Sequence, residues 1–355
     1  MKKIFLESHN INNPYTGFGQ FNLHLLKGFH HCDDPELQFI VHTPKKRFLK
    51  KIFGNFFKYK HYLGLRRYEF AQIRTRYDLW HSLNQNTKIE PKNAMPYILT
   101  IHDINFVEEV SNDIHHPRNQ LFIEKLNRAD AITYISEFAK KSTHGFFDVP
   151  KVPEYVIYNG NPVREELDTS GFEPPKTLQK KFLFSIGDFR ERKNFHLLVE
   201  MMPLLKDYQL VLAGNDTRDY AEVVREATRK YQVEDQVIFA GRVDDVGKQY
   251  YLQNCEALVF PSLREGFGLP PIEAMVFGKP VFLANTTSLP EIGGEYAFYW
   301  EDFNPKHMAE AFLKGMETFR NNQELYEKEL KKQAAKFDWN IAAQQYIDVY
   351  KALLK

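Results

Sequence analysis

The chain carries only two cysteines in 355 residues, Cys32 and Cys255, too far apart for any metal or redox spacing. A disulfide scaffold is excluded, and reduced, buried thiols in a cytoplasmic protein are expected. None of the 13 histidines makes a recognisable metal-site spacing, so no metal is expected. No apolar run approaches the ~18 residues of a membrane span. Met1-Lys-Lys leads directly into Ile4-Phe-Leu6, far too short for a secretory leader. The net charge of +1 gives no global attraction to nucleic acid, and no nucleic-acid partner is expected. Repeats and low-complexity tracts are absent. What remains is ordinary globular composition, 43% hydrophobic and 26% charged, in a chain long enough for two domains.

The most informative stretch is Ser262-Leu-Arg-Glu-Gly-Phe-Gly-Leu-Pro-Pro-Ile-Glu-Ala-Met-Val-Phe-Gly-Lys-Pro280. It lies between two short apolar runs, Ala257–Phe260 and Pro280–Ala284, that read as buried strands. Pro270 and Pro271 mark a first helical turn, and Gly278 ends that helix. The unit is therefore strand–loop–helix–strand. Glu265 falls at the strand's carboxyl end, where open parallel sheets place ligands. Gly266 and Gly268 allow the backbone close to a ligand, with amides able to donate. Glu273 follows in the first turn or so of the helix. Two carboxylates around a nest of backbone donors suit a polyhydroxyl ligand.

Glu265-Gly-Phe-Gly-Leu-Pro-Pro-Ile-Glu-Ala-Met, then Gly278-Lys-Pro-Val and Ser288-Leu-Pro-Glu-Ile-Gly-Gly294, closely resembles the donor-binding signature of glycosyltransferase family 4. The resemblance is densest from about Phe182 to Glu301. It implies a GT-B fold and retaining, metal-independent transfer of a hexose from a UDP- or GDP-sugar to a hydroxyl acceptor. Cell-surface polysaccharide or lipopolysaccharide assembly is the implied setting. It implies no cofactor, since the nucleotide-sugar is the donor substrate. By the same resemblance Glu273 holds the ribose, while Glu265 holds sugar hydroxyls with the Gly266-Phe267-Gly268-Leu269 backbone beside it. Another GT-B enzyme, such as an epimerase, or a non-catalytic sugar-binding partner are the alternatives.

Along the chain, Ile4–Leu6 reads as the first strand and Asn10 to Gln20 as the loop after it. Gly17 and Gly19 open a helix; in the resembling family such a pair admits donor phosphates or acceptor, and a plain turn is the other reading. Tyr97–Ile101 is a strand ending in His102-Asp103, and the resemblance has His102 facing the donor sugar. Phe182–Gly187 is a strand, followed by Asp188-Phe-Arg-Glu-Arg-Lys-Asn194. There Gly187, Arg190, Arg192 and Lys193 sit before a helix, positioned to meet a diphosphate. Relatives often have arginine at the place of Asp188, so either Arg190 or Arg192 takes that part. Alternating strands and helices in both halves predict two doubly wound, Rossmann-like domains facing across a cleft. Their bounds are 1–165 on the acceptor side and 175–336 for the nucleotide-sugar, with 162–176 as linker. The resemblance implies that 337–355 returns to the first domain.

One segment stands apart. Residues 45–67 hold nine Lys or Arg and no acid, interleaved with six Phe or Tyr. Contact with an anionic membrane face, where a lipid-linked acceptor would wait, is one reading. The other is a solvated basic helix whose rings enter the core.

Overall fold

The computed structural model describes residues 1–13 and 16–355; Pro14 and Tyr15, within the loop read as Asn10 to Gln20, lie outside the described residues. The chain forms two compact units, one of Met1–Pro162 with Phe337–Lys355, the other of Val163–Lys336.

The first unit runs β1 (Lys2–Glu7), α1 (Gly17–Cys32), β2 (Leu37–Thr43), α2 (Lys46–Phe53), β3 (Lys58–His61), β4 (Leu79–Ser82), β5 (Tyr97–Ile101), α3 (Phe106–Glu109), α4 (Pro117–Arg128), β6 (Ala131–Tyr134), α5 (Glu137–Phe146) and β7 (Glu154–Val156). All neighbouring strands are parallel, in the order β3-β2-β1-β4-β5-β6-β7. Central strands such as β4 and β5 are buried along their whole length, as a sheet covered on both faces requires. The order reverses between β1 and β4, where Glu7 stands level with Ser82.

The second unit runs β8 (Lys181–Ile186), α6 (Phe195–Met201), β9 (Tyr208–Ala213), α7 (Asp219–Lys230), β10 (Val237–Gly241), α8 (Asp245–Asn254), β11 (Ala257–Phe260), α9 (Leu269–Val276), β12 (Val281–Ala284), α10 (Leu289–Gly293), β13 (Phe298–Trp300), α11 (Pro305–Asn321) and α12 (Gln323–Ala334). Its parallel strands lie in the order β10-β9-β8-β11-β12-β13, with the reversal between β8 and β11. Phe189, Phe195, Leu210, Phe282 and Phe312 belong to the core of this unit.

Two sequence expectations change here. The stretch 162–176 is not a free linker. Leu167 N–H donates to Gln249 Oε1 at 2.9 Å, Thr169 Oγ1 donates to Gln253 Oε1 at 2.9 Å, and Phe172 packs on Tyr250 and Tyr251. Its polar, proline-bearing composition concealed an arm laid along α8. The basic segment also divides: Leu49, Phe53 and Phe57 enter the core, whereas Phe48 and Ile52 stay outside.

Helix α13 (Trp339–Leu353) lies against α1 of the first unit. Tyr350 Oη lies 2.6 Å from His81 Nδ1 on β4. Lys351 pairs with Asp34 at 2.6 Å and Glu36 at 2.8 Å. The close approach depends on Gly28, where a Cβ would stand 2.4 Å from Trp339 O and 2.7 Å from Ala343 Cβ. Gly28→Val is expected to lower stability by about 1–3 kcal/mol through overpacking. Urea unfolding with hydrogen exchange of the α13 amides checks this; an unchanged midpoint and unchanged exchange would show the seam to be slack.

Candidate active site

Where the strand order reverses, the loops leaving the two central strands diverge and open a crevice at their carboxyl ends. In the second unit those loops are 187–194 and 261–268. They are knitted by Leu263 N–H donating to Arg192 O at 2.8 Å, with Ser262 Oγ 3.2 Å from the same carbonyl. A tight turn at Glu191–Lys193 ends at Asn194 in the left-handed region, φ 60°, and α6 starts there. Gly187 gives the Lys193 side chain its path, since a Cβ there would meet Lys193 Cε at 3.0 Å.

The turn delivers Lys193 and Arg192 to Glu265. Lys193 Nζ lies 2.5 Å from Glu265 Oε1, Arg192 donates to that oxygen at 3.2 Å, and Ser262 Oγ donates to it at 2.6 Å. Arg192 also donates to Arg264 O at 2.6 Å. Lys193 is buried, its ammonium 4.5 Å from the Phe260 ring centre. Burial alone would raise the Glu265 carboxyl, but the Lys193 and Arg192 charges and two hydrogen bonds hold it below the ordinary value. The carboxylate is therefore ionised at neutral pH. The loop is fixed behind it: Glu265 N–H donates to Thr287 Oγ1 at 3.2 Å, and Ser288 Oγ is shared between Glu265 O at 3.0 Å and Phe267 O at 2.6 Å.

Glu273 is the fifth residue of α9, at the end of its first turn, and is buried. Lys248 of α8 reaches it at 2.7 Å. Burial works against the Lys248 charge, but Glu273 and Asp245 raise its pKa. Gly268 adopts φ 122°, a conformation rare for any residue with a side chain. Phe267 is buried, so its backbone is what a ligand can meet. Leu269 begins α9, and Pro270 and Pro271 remove two N–H groups from its first turn. Of the first four residues of α9 only Leu269 and Ile272 carry an N–H, fewer than an ordinary helix start supplies. Arg190 stands apart from Glu265: it is exposed and 4.0 Å from Asp188, which Arg218 approaches at 3.6 Å. Of the two arginines, Arg192 is the one beside Lys193 and Glu265.

In the first unit, Gly17 and Gly19 lie in the opening turn of α1, with Gly19 N–H donating to Thr16 Oγ1 at 3.2 Å. Phe18 and Phe21 from that turn meet the His102 ring edge-on at 4.8 and 4.5 Å, so the glycine pair and His102 are neighbours. His102 Nε2 lies 2.9 Å from Leu83 O, which requires the proton on Nε2 and leaves Nδ1 as acceptor. Burial drops its pKa to about 4, against the pull of the Leu83 carbonyl, so the ring is neutral at pH 7.

A second cluster went unread in the sequence. Glu7 ends β1 at the reversal and is fully buried. Its Oε1 lies 3.0 Å from His42 Nδ1, and His9 Nδ1 lies 2.9 Å from both oxygens. Arg66, which can only donate, reaches His42 Nε2 at 2.9 Å. His42 therefore carries its proton on Nδ1 and donates it to Glu7. An acid closing an apolar strand was the available signal. Lys248 gave none, because it is one lysine on a helix until the fold brings it to Glu273.

Residues 168–337 match the family described as glycosyl transferases group 1. The second unit belongs to the group 1 glycosyl transferases. The chain is 32% identical over 255 residues to the serotype-specific mannosyltransferase WbdA of Escherichia coli, covering 66% of this chain and 30% of WbdA. It is 26% identical to the O-antigen chain mannosyltransferase B of the same organism, covering 72% of this chain and 70% of that protein. The chain thus spans under a third of WbdA. Among solved structures, HepE of Anabaena in complex with UDP and glucose superposes with a TM-score of 0.73 at 17% identity, covering 99% of both chains. A glycosyltransferase of Rickettsia africae gives 0.74 at 14%, covering 100% of this chain and 99% of that one. Each unit has the parallel, doubly wound sheet of the GT-B fold.

Glu7 titrates at about 2 rather than 4.5: burial pushes it up, and the hydrogen bonds and charges of His42 and His9 overcome that. Between these values the unfolded chain binds the proton that the folded chain refuses. The stability it contributes is present above 4.5 and is lost as pH falls toward 2, a change on the order of 3 kcal/mol. Wild type should lose more stability across that window than Glu7→Gln in urea titrations; equal losses would contradict the pairing.

Proposed function

We propose that the protein transfers a hexose, with retention and without a metal, from a nucleotide-sugar to a hydroxyl acceptor in cell-surface polysaccharide assembly. The observation that carries the reading is the convergence of Lys193, Arg192 and Ser262 on one oxygen of Glu265 at the carboxyl end of the second sheet. The family of the second unit and the mannosyltransferase relatives support it, and they favour a mannosyl donor among UDP- and GDP-sugars. The nucleotide-sugar is substrate, and no cofactor is called for.

The chemistry follows from charge. Breaking the anomeric bond leaves an oxocarbenium-like sugar and a diphosphate gathering negative charge. Lys193 has three N–H donors and gives one to Glu265, so two remain for the diphosphate. Arg192, with the loop backbone from Gly266 to Leu269, completes the anion's surroundings, the Gly187 amide being committed to Ala213 O at 2.9 Å. Glu265 accepts from sugar hydroxyls through its other oxygen and holds the ring. Attack comes on the face the diphosphate leaves, and a diphosphate oxygen takes the acceptor's proton. Glu273, held by Lys248, accepts from the ribose hydroxyls. In the first unit, His102 beside the Gly17–Gly19 turn keeps a neutral Nδ1 able to accept from a hydroxyl. A lipid-linked acceptor would call for a membrane-facing surface, for which residues 45–67 are the candidate.

Titration calorimetry with GDP- and UDP-hexoses tests the donor role. One of them should bind wild type, and Glu273→Gln should weaken that binding roughly tenfold while the protein stays folded. Unchanged affinity removes Glu273 from the donor site; no binding by wild type to any of them refutes the reading.

A further inference from the structure

We propose that the corner of the first unit built from α2 and the turns after β3 docks onto an anionic phospholipid bilayer. Of the fifteen large apolar side chains exposed among the described residues, six fall between residues 48 and 70: Phe48, Ile52, Leu63, Leu65, Tyr68 and Phe70. Phe70 is 73% exposed and Leu65 60%, with no core to enter.

These side chains share one region. Strands β2 and β3 end level, Thr43 beside His61, and Tyr62 N–H donates to Thr43 O at 3.1 Å. The start of α2 and the Gly64–Arg67 turn therefore leave the sheet side by side, and the Glu69–Ala71 turn packs on the latter. Helix α2 carries two apolar stripes. Leu49 and Phe53 point into the core, while Phe48 and Ile52, also four residues apart, form a second row facing outward.

Lys46, Arg47, Lys50 and Lys51 are exposed on the same helix, with Arg47 and Lys51 on the side next to that outer row. No acid occurs from Pro44 to Tyr68, and the next, Glu69, is paired with Lys92 at 2.6 Å. In a chain of net charge +1 this is a local excess of cations around apolar side chains. Anionic headgroups answer the cations, and the acyl boundary takes the rings and branched chains. Nucleic acid would leave the apolar rows in water. A second copy would bring like charges together, and Lys58 and Lys60 on the short edge strand β3 discourage sheet-edge pairing. The docking rests on surface chemistry alone and stands independently of sugar transfer.

Flotation with vesicles of phosphatidylcholine, alone or mixed with phosphatidylglycerol, tests the proposal. Wild type should float with the mixed vesicles only, and less at high salt. Replacing Lys46, Arg47, Lys50 and Lys51 together by Ser should cut partitioning roughly a hundredfold or more. Phe48→Ser with Ile52→Ser should also weaken it with the charges intact. All six side chains are exposed, so circular dichroism of both variants should match wild type. Wild type failing to float, floating equally with neutral vesicles, or floating undiminished in either variant would overturn the proposal. Light scattering that shows self-association lost in Phe48→Ser with Ile52→Ser, without vesicle binding, would assign the surface to a second copy.

Discussion

One oxygen of one carboxylate organises the crevice of the second unit. Glu265 Oε1 receives an ammonium, a guanidinium and a hydroxyl, and these come from two loops that the chain builds more than seventy residues apart. Neither loop holds this shape by regular structure. Without the pair, Lys193 would be a buried cation and Glu265 a half-buried acid, each costly to keep charged. Together they fix the Glu191–Lys193 turn against the loop after β11, and that contact shapes the crevice in which the proposed donor would lie.

The same topology recurs in both units. Each sheet reverses its order at the strand that begins it, and each reversal places an ionised glutamate beside cationic or imidazole partners: the buried Glu7 in the first, the half-buried Glu265 in the second. A doubly wound sheet leaves a crevice at that point whatever its sequence. Polar groups lowered into it are shielded from water, so they must be paired, and pairing fixes their protonation and direction. His42 shows this most fully, because Arg66 on one nitrogen decides what the other offers Glu7.

Much of this was legible in the sequence. Apolar runs such as Tyr97–Ile101 and Ala257–Phe260 became strands with those bounds, and proline and glycine marked the ends of α9. Motif spacing singled out Lys193, Glu265 and Glu273. What stayed hidden depends on distance along the chain. The choice of Arg192 over Arg190 is made by Glu265, 73 residues away, and the Lys248–Glu273 pair by the packing of two helices. The arm at 163–176 was misread because composition reports polarity and not what a single Phe172 can anchor. Within 45–67, counting aromatic residues could not separate Phe53, which is buried, from Phe48, which is not.

The most direct test of the Lys193–Glu265 account is a carbon-13 NMR titration of the Glu265 carboxyl, assigned by its loss in Glu265→Gln. Burial and the cations push its pKa in opposite directions, and the account has the cations win. The carboxyl should titrate below its ordinary value of 4.5 in wild type, and the midpoint should rise in Lys193→Met as burial takes over. A wild-type midpoint above 4.5, or one that Lys193→Met leaves in place, would contradict the central role given to the pair.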